Sequence, residues 1–401
     1  MQRVSNLKDE LEFNKAALTN VAAAIEHAHG LPNECYVGQS AFAHERERIF
    51  TQGWVCAGFA KDVPEPGGLF PFEFAGMPLL MVRGGDSIVR VFHNVCRHRG
   101  RILVDAPGTV KKAIACPYHR WTYSLDGDLT GTPHIGGPGA HSCPGFDKEN
   151  VRLREVRSAE WFGLVFVDLS EAAEDFEAYI SPIADRWRPF NDVPLVHTGA
   201  DCTIEFALDC NWKLAVENYC EAYHLPWVHP GLNRYSPLEQ HRNIVSARYS
   251  GQQSTCYAPN LSETSPGFPN APDLPSFWET GAEYISLFPN VLLGLHRDHF
   301  YAALIQPDGP SRTVERFEIF YFDEAVRTEQ FAAARADNRA LWKSVFAEDR
   351  DAVEGMQRGR HSPGFDGGVF SPAMDPPTHA FHVWVANAML GGRNENRAAA
   401  E

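Results

Sequence analysis

Two cysteine–histidine pairs carry the strongest chemical signal in this sequence. The first is Cys96-Arg97-His98 and the second Cys116-Pro117-Tyr118-His119, with seventeen residues between them. Thiolates favour zinc or iron–sulfur chemistry, and imidazole serves either. A structural zinc takes two Cys and two His readily, but the finger arrangement places both cysteines before both histidines. Here each pair offers one thiolate and one imidazole. That order gives each arm one ligand for each metal of a [2Fe–2S] cluster whose first iron is held by two Cys and whose second by two His.

A second constellation lies in the segment from Asn211 to His229, which holds Glu221, His224 and His229. Glu221 and His224 are three residues apart, so a helix over about 211–224 would put them on one face. Pro226 would end or bend that helix and let His229 swing to the same point as His224. Two such histidines, completed by an acid from elsewhere, make the facial triad of a non-haem Fe(II) site. On its own, E-x-x-H-x-x-x-x-H equally describes structural histidines at a helix end. The acids Glu348, Asp349, Asp351 and Glu354 compete for the third position, on a helix expected over 327–357 where Glu348 and Asp351 read as a solvated acidic face.

These residues must be positioned by two different kinds of structure. From Trp54 to about Val156 the chain runs in short apolar stretches cut by Gly and Pro, the pattern of a small antiparallel β domain. Asp126-Gly127 reads as a hairpin turn within it. Beyond Trp161 strand-like runs alternate with the two helical stretches, and 258–278 reads as a long loop. Residues 7–29 read as a helix stopped by Gly30 and Pro32, and a short helix follows Ser40. The expected organisation is a helical segment at 1–50, a cluster domain at 51–158 and a catalytic domain at 159–401, α+β overall.

The chain has 401 residues, 44% hydrophobic and 22% charged, which is ordinary globular composition. Its formal net charge of −15 argues against a nucleic-acid partner. No run approaches the roughly 20 apolar residues of a membrane span, and the first residues do not read as a secretory leader. A cytoplasmic protein is expected. Nine cysteines fit no disulfide framework, so Cys202, Cys210 and Cys220 read as buried thiols.

The stretches CRHRG at 96–100 and CPYHRWTYSLDG at 116–127, followed by ENYCEAYHLPWVH at 217–229, resemble the Rieske non-haem iron oxygenases. The resemblance implies a [2Fe–2S] cluster held by Cys96, His98, Cys116 and His119, with Tyr118 and Trp121 packing over it. It implies a mononuclear Fe(II) held by His224, His229 and Asp349, since the family places an acid eight residues before a Gln-x-Gly, here Gln357. Glu221 takes the place of the acid that bridges the iron site to a Rieske histidine, most naturally His119, of a neighbouring subunit. Many family members carry Asp there. Asn218 is a near-site residue on the same motif. The implied fold is an all-β Rieske domain followed by a catalytic domain of antiparallel sheet and flanking helices, of the helix-grip or START-like kind.

The implied reaction is O2 activation at Fe(II) with electrons relayed by the cluster. The chain has neither a dinucleotide-binding G-x-G-x-x-G after a strand nor a C-x4-C-x2-C ferredoxin run. A separate NAD(P)H-dependent reductase is therefore expected, and the resemblance adds a homotrimer. The wording around Glu221 resembles the branch acting on quaternary ammonium compounds (choline, glycine betaine, carnitine), where oxygenation beside nitrogen gives N-demethylation or C–N cleavage. Aromatic faces suit such a cation, and Trp227, Tyr284, Phe288 and Phe300, with Tyr257 and Tyr301, are the expected pocket residues. Hydroxylation of an aromatic ring or aromatic acid is the alternative substrate reading. A non-catalytic Rieske electron carrier is the alternative of another class. His296 and His299 read as surface or pocket-lining polar residues.

Overall fold

The computed structural model describes residues 15–259 and 267–391. The chain divides into two compact units: one is Phe50–Ala178, and the other joins the residues before Phe50 to those from Tyr179 onward.

The first unit is built from ten strands: β1 (Trp54–Phe59), β2 (Gly68–Phe74), β3 (Met77–Arg83), β4 (Val89–His93), β5 (Gly108–Thr109), β6 (Ala113–Ala115), β7 (Thr122–Ser124), β8 (Leu129–Gly131), β9 (Glu155–Trp161) and β10 (Leu164–Asp168). Seven form one sheet in the order β1-β10-β9-β4-β3-β2-β5, and β6-β7-β8 form a small second sheet. Both are antiparallel throughout. β1 and β10 are buried along their whole length, as their unbroken apolar runs require. The hairpin expected at Asp126-Gly127 joins β7 to β8. The boundary placed at 158 falls inside β9. That strand pairs with β4 on one side and β10 on the other, and β10 returns to β1, so the unit runs on to Ala178.

The second unit carries β11 (Thr203–Leu208), β12 (His241–Val245), β13 (Tyr249–Ser254), β14 (Ala282–Leu287), β15 (Val291–Leu295), β16 (His299–Pro307) and β17 (Thr313–Tyr321). They form one antiparallel sheet in the order β11-β17-β16-β15-β14-β13-β12. Edge strand β11 alternates, with Ile204, Phe206 and Leu208 inward and Glu205 outward. β14 and β15 are buried on both faces, so helices must cover both. On one face the helix Phe176–Arg186 leads to Trp187, whose ring lies 6.2 Å from Phe300. The other face takes the motif helix Trp212–Cys220, the long helix Ala332–Gly359 and the last described helix, Pro376–Met389. This is the expected grip of helices on an antiparallel sheet.

Of the helix expected at 7–29, residues before 15 lie outside the described ones, and helix persists only over 15–21. At Ala22 and Ala23 the N–H groups bond three residues back and the chain turns away. The region before Phe50 packs into the catalytic unit: Lys213, fully buried on the motif helix, donates to the Cys35 carbonyl at 2.7 Å and pairs with Glu45. Among the described residues no helix is long and apolar enough to cross a membrane.

Candidate metal centres

The two cysteine–histidine loops of the first unit are near copies of one another. One follows β4 and the other links β6 to β7. In each, the cysteine N–H donates to the carbonyl five residues on (Arg101, Trp121), at 2.8 Å in both. The residue four places on (Gly100, Arg120) donates back to the cysteine carbonyl, at 3.0 Å in both. That closing residue sits in the left-handed region in both loops, with φ 73° at Gly100 and 58° at Arg120. Glycine adopts it freely, while arginine is held there by the loop.

This geometry buries Cys96 and Cys116 in the unit's hydrophobic core and sends His98 and His119 outward. The imidazole rings meet at 4.6 Å, and Trp121 stacks on His98 at 4.5 Å and 9°. Tyr118 lies against His119 at 3.7 Å and is 55% exposed. Sulfurs inside and imidazoles outside is a two-ended donor set. It fits a cluster with one iron at each end better than a single tetrahedral ion, which needs all four donors around one point.

Two further residues support these loops, Asn94 just before the first and Tyr123 just after the second. The buried Asn94 side chain donates to the Val104 carbonyl and accepts from the Leu103 and Val104 N–H groups, closing the first loop from behind. The Tyr123 hydroxyl accepts from Arg97 N–H at 3.0 Å and lies 3.4 Å from Cys96 Sγ, so its own proton is free to point at the sulfur.

In the second unit the donors come from three places. The motif helix ends at Cys220, not at residue 224. Glu221 leaves it in an extended conformation, φ −124° and ψ 161°. Its carboxylate turns back to accept from the N–H groups of Tyr223 and His224. Glu221 and His224 therefore meet across a turn, not on a helix face. Pro226 does not end a helix either. It stands in the first turn of a new one, Leu225–Val228, where its fixed φ and missing N–H cost nothing. His224 and His229 flank that single turn, with ring centroids 5.1 Å apart.

The long helix brings Asp349 to the pair. Asp349 Oδ1 lies 2.9 Å from His229 Nε2 and 3.7 Å from His224 Nε2. Among the described residues, His224, His229 and Asp349 form a group of three such donors gathered within 4.8 Å. Two rungs align the helices that bear them. Asn218 donates to Asp349 Oδ1 at 2.7 Å. Two turns away, Gln357 accepts from the Asn211 N–H at 2.9 Å. That second rung gives the acid-to-glutamine spacing a physical meaning, because it fixes the register of the long helix against the motif helix.

Each histidine has a carboxylate behind it. His224 Nδ1 lies 2.6 Å from Glu221, and His229 Nδ1 lies 2.8 Å from Glu348. An ionised carboxylate only accepts, so both Nδ1 atoms carry protons and both Nε2 atoms face Asp349. Glu348 is exposed, as Asp351 is, yet it also reaches His229 as the partner of its Nδ1. Burial disfavours a charged His229, but Asp349 and Glu348 outweigh it and hold its pKa above the ordinary value. The donor set of two imidazoles and one carboxylate, with no thiolate, suits a divalent iron with open positions.

Beside Asp349 lies a pocket lined by Asn218, Tyr219, Glu315, Leu292 and Phe346. Glu315 is an acid at an inward position of β17. Burial, reinforced by the Asp349 charge, pushes its pKa up to about 8. The signal was in the sequence, since Thr313, Glu315, Phe317 and Ile319 alternate with the other face.

Of the six expected pocket residues, Tyr257, Tyr284 and Tyr301 lie on this side, against Trp342. Tyr284 is buried there, 5.6 Å from His296 and 6.4 Å from Trp342. Phe300 points through the opposite face onto Trp187 and Phe320, because its neighbour Tyr301 takes the site side. Phe288 packs on Phe381 and Trp384 of the last described helix. Trp227 is 71% exposed against Tyr223. His296 and His299 are not surface residues. Both are buried, stacked at 4.2 Å beside Trp342. Cys202, Cys210 and Cys220 are buried thiols, as expected.

Residues 53–144 match the family described as "Rieske [2Fe-2S] domain", and residues 184–391 match "Ring hydroxylating alpha subunit (catalytic domain)". The chain is 27% identical to the carnitine monooxygenase oxygenase subunit of Acinetobacter pittii (strain PHEA-2), over 84% of this chain and 86% of that one. It is 26% identical to the glycine betaine monooxygenase oxygenase subunit of Pseudomonas aeruginosa (strain UCBPP-PA14), over 98% and 96%. Its fold superposes with a TM-score of 0.76, at 24% identity and over 92% and 98% of the two chains, on a structure of a quaternary ammonium Rieske monooxygenase described as revealing carnitine oxidation and inter-subunit electron transfer. The two metal-binding families, met in this order along one chain, exclude a simple electron carrier: the protein belongs to the Rieske non-haem iron oxygenases, as an alpha subunit that joins a [2Fe–2S] domain to a mononuclear-iron catalytic domain.

Proposed function

We propose that this oxygenase acts on a small quaternary ammonium substrate of the betaine kind, oxygenating carbon beside nitrogen so that an N-methyl group or a C–N bond is lost. The observation that carries this reading is the aromatic cluster beside Asp349: Tyr219 lines the pocket there, its hydroxyl is 3.0 Å from that of Tyr301, and Trp342 and Tyr284 pack behind them. Aromatic faces attract a cation that cannot donate a hydrogen bond. The carnitine and glycine betaine relatives, which align along most of their length, support the same class.

In this reading Cys96, Cys116, His98 and His119 hold the cluster, and His224, His229 and Asp349 hold the mononuclear iron. Bound there, the two centres supply single electrons and O2 activation. The chain's own residues do the rest. Glu221 and Glu348 keep the Nδ1 protons of the two histidines in place, which leaves Nε2 free to ligate. Asn218 holds Asp349 by one oxygen. Tyr219, whose hydroxyl donates to the Leu293 carbonyl at 2.8 Å, is fixed as a wall of the pocket and keeps water from it.

Electrons come from a separate NAD(P)H-dependent reductase, and the subunits assemble as a homotrimer in the cytoplasm. In that trimer Glu221 bonds His224 on one side and His119 of the partner subunit on the other. The exposed aromatic pair Tyr223 and Trp227 beside Glu221, and the exposed Tyr118 beside His119, are apolar surface that such an interface would cover.

Substrate-stimulated O2 uptake with a surrogate reductase tests the reading, using glycine betaine, L-carnitine, choline and benzoate. Stimulation by a quaternary amine is expected, and stimulation by benzoate alone would overturn the substrate class. Glu221→Ala should retain three irons per chain yet slow reoxidation of the reduced cluster at least 100-fold. Normal reoxidation in that variant would remove Glu221 from the electron path.

A further inference from the structure

Among the described residues, three buried side-chain polar atoms without a hydrogen-bond partner lie in one aromatic cluster: the Tyr235 hydroxyl, the Tyr257 hydroxyl and His296 Nδ1. The Tyr257 ring is 4.3 Å from His296 and 5.8 Å from Tyr235. Tyr257 is 3% exposed and His296 fully buried. A buried donor without an acceptor is costly, and natural proteins rarely leave several together unless something binds them.

The cluster is continuous with the candidate iron site. Tyr257 lies parallel to Trp342 at 6.1 Å, and Trp342 meets Tyr301 at 4.4 Å. Tyr301 is 3.0 Å from the Tyr219 hydroxyl, and Tyr219 lines the pocket beside Asp349. Tyr301 can lie flat across the sheet because its register partner is Gly294, where a Cβ would fall 2.2 Å from the tyrosine ring.

The chemistry of the three atoms is uniform. The Tyr284 hydroxyl lies 3.4 Å from His296 Nε2, and a phenol donating there leaves the proton on Nδ1. Burial, with His299 and Arg297 adding to it, keeps that imidazole neutral. His299 is committed elsewhere: Trp342 donates to its Nε2 at 3.0 Å, and its Nδ1 faces Asp298 at 2.7 Å. Two phenols and an imidazole N–H are thus left as three donors. Three neutral donors in an apolar enclosure recognise an oxyanion, as a carboxylate accepts several hydrogen bonds at once.

Resting on the substrate reading above, we propose that Tyr235, Tyr257 and His296 form an oxyanion-binding pole that makes this enzyme select carboxylate-bearing quaternary ammonium compounds over the alcohol with the same head group. The cation then lies against the aromatic faces nearer Asp349, and the carboxylate lies at the far end. The long axis of the substrate is set by the separation of the two.

Anaerobic titration calorimetry on the iron-loaded holoenzyme tests this, with glycine betaine, L-carnitine, choline and benzoate as probes. At least one of the two betaines should bind ten times more tightly than choline. Tyr257→Phe and Tyr235→Phe should each weaken that betaine about 10- to 100-fold, the worth of a hydrogen bond to a charged acceptor. Both should leave choline within about twofold. Unchanged cluster absorbance and iron content confirm that the variants fold. Equal binding of betaines and choline by the parent, or equal weakening of both in the variants, overturns the pole while the substrate class stands. If benzoate alone binds and the variants weaken it, the pole stands and the quaternary ammonium reading falls. Binding of no probe overturns both.

Discussion

The cluster loops and the mononuclear triad solve the same problem, holding metal donors in place, by opposite routes. The cluster donors come from two six-residue loops, each closed by its own backbone hydrogen bonds, with Gly100 or Arg120 at the closing position. Every part of such a loop is near in sequence to every other. The triad is assembled from the two residues that flank one short helical turn and from a long helix more than a hundred residues on. What aligns it is side-chain contact across that gap: Asn218 to Asp349, Asn211 to Gln357, His229 to Glu348. A locally closed site survives losses elsewhere, whereas a site made of long-range contacts depends on each rung.

The largest effect should come from Asp349→Ala. The change removes the one acid shared by both histidines and the acceptor of Asn218. Iron should fall from three to two per chain with product formation abolished, while the visible spectrum of the cluster stays as in the parent. Retention of the third iron would mean that Glu348 or Glu354 ligates instead, and the contrast between the sites would break.

Glu348→Ala should be milder and sharper in meaning. His229 keeps Asp349 but loses the acceptor that fixes its Nδ1 proton. Losses of about 10- to 100-fold in Fe(II) or Co(II) affinity are usual for such a partner. Equilibrium competition with a chelator measures this, and an affinity within twofold of the parent would return Glu348 to the solvated face. Since protonation of His229 competes with the metal, and Asp349 and Glu348 hold its pKa above the ordinary imidazole value, the parent's affinity should also fall as pH drops, from a higher pH than a free imidazole would give.

On the cluster side, Tyr123→Phe removes the hydroxyl that lies 3.4 Å from Cys96 Sγ. A hydrogen bond to a cluster sulfur stabilises the reduced state, so the midpoint potential should shift downward with iron content unchanged. Loss of the cluster itself would show that these loops are less self-sufficient than their backbone suggests.

The same contrast explains what could be read from the chain. The pair spacing, C-x-H and C-x-x-H, was legible because the loops are local. So was the β character of 54–156, since its short apolar runs cut by Gly and Pro are a local pattern. The path around Glu221 was not legible, because an unbroken helix and a turn–helix restart give the same three-residue proximity of Glu221 and His224. Glu348 was passed over because nothing local separates it from Asp351. The side on which it falls depends on the rotation of the long helix, which Gln357 and Asn211 set. Phe300 and Tyr301 differ by one residue, and choosing which faces the site needs the register of β16 against β15 and β17. His296 and His299 read as surface or pocket-lining from their polarity alone, and the choice between the two rests on Trp342, forty-odd residues on, which encloses them.

Glu315 gives the smallest effect and the finest test of how the long-range site is balanced. Its side chain is inward on β17 and 4% exposed, and burial together with Asp349 lifts its pKa from 4.5 to about 8. Between those values the native state holds a proton that the unfolded chain has released. Stability of the metal-free protein therefore falls as pH rises from about 4.5 towards 8, and the loss is complete above the folded value. Glu315→Gln keeps the shape and removes the titration. Near pH 5 parent and variant should unfold alike. At pH 7.5 the variant should be the more stable, by on the order of 1–4 kcal/mol, visible as a raised denaturation midpoint in urea. Because burial is the larger cause, loading the site with Co(II) should narrow this gap without closing it. Parallel stability curves for parent and variant from pH 5 to 8 would mean that Glu315 is ionised and stabilised in place, and that the pocket beside Asp349 is wetter than its apolar lining implies.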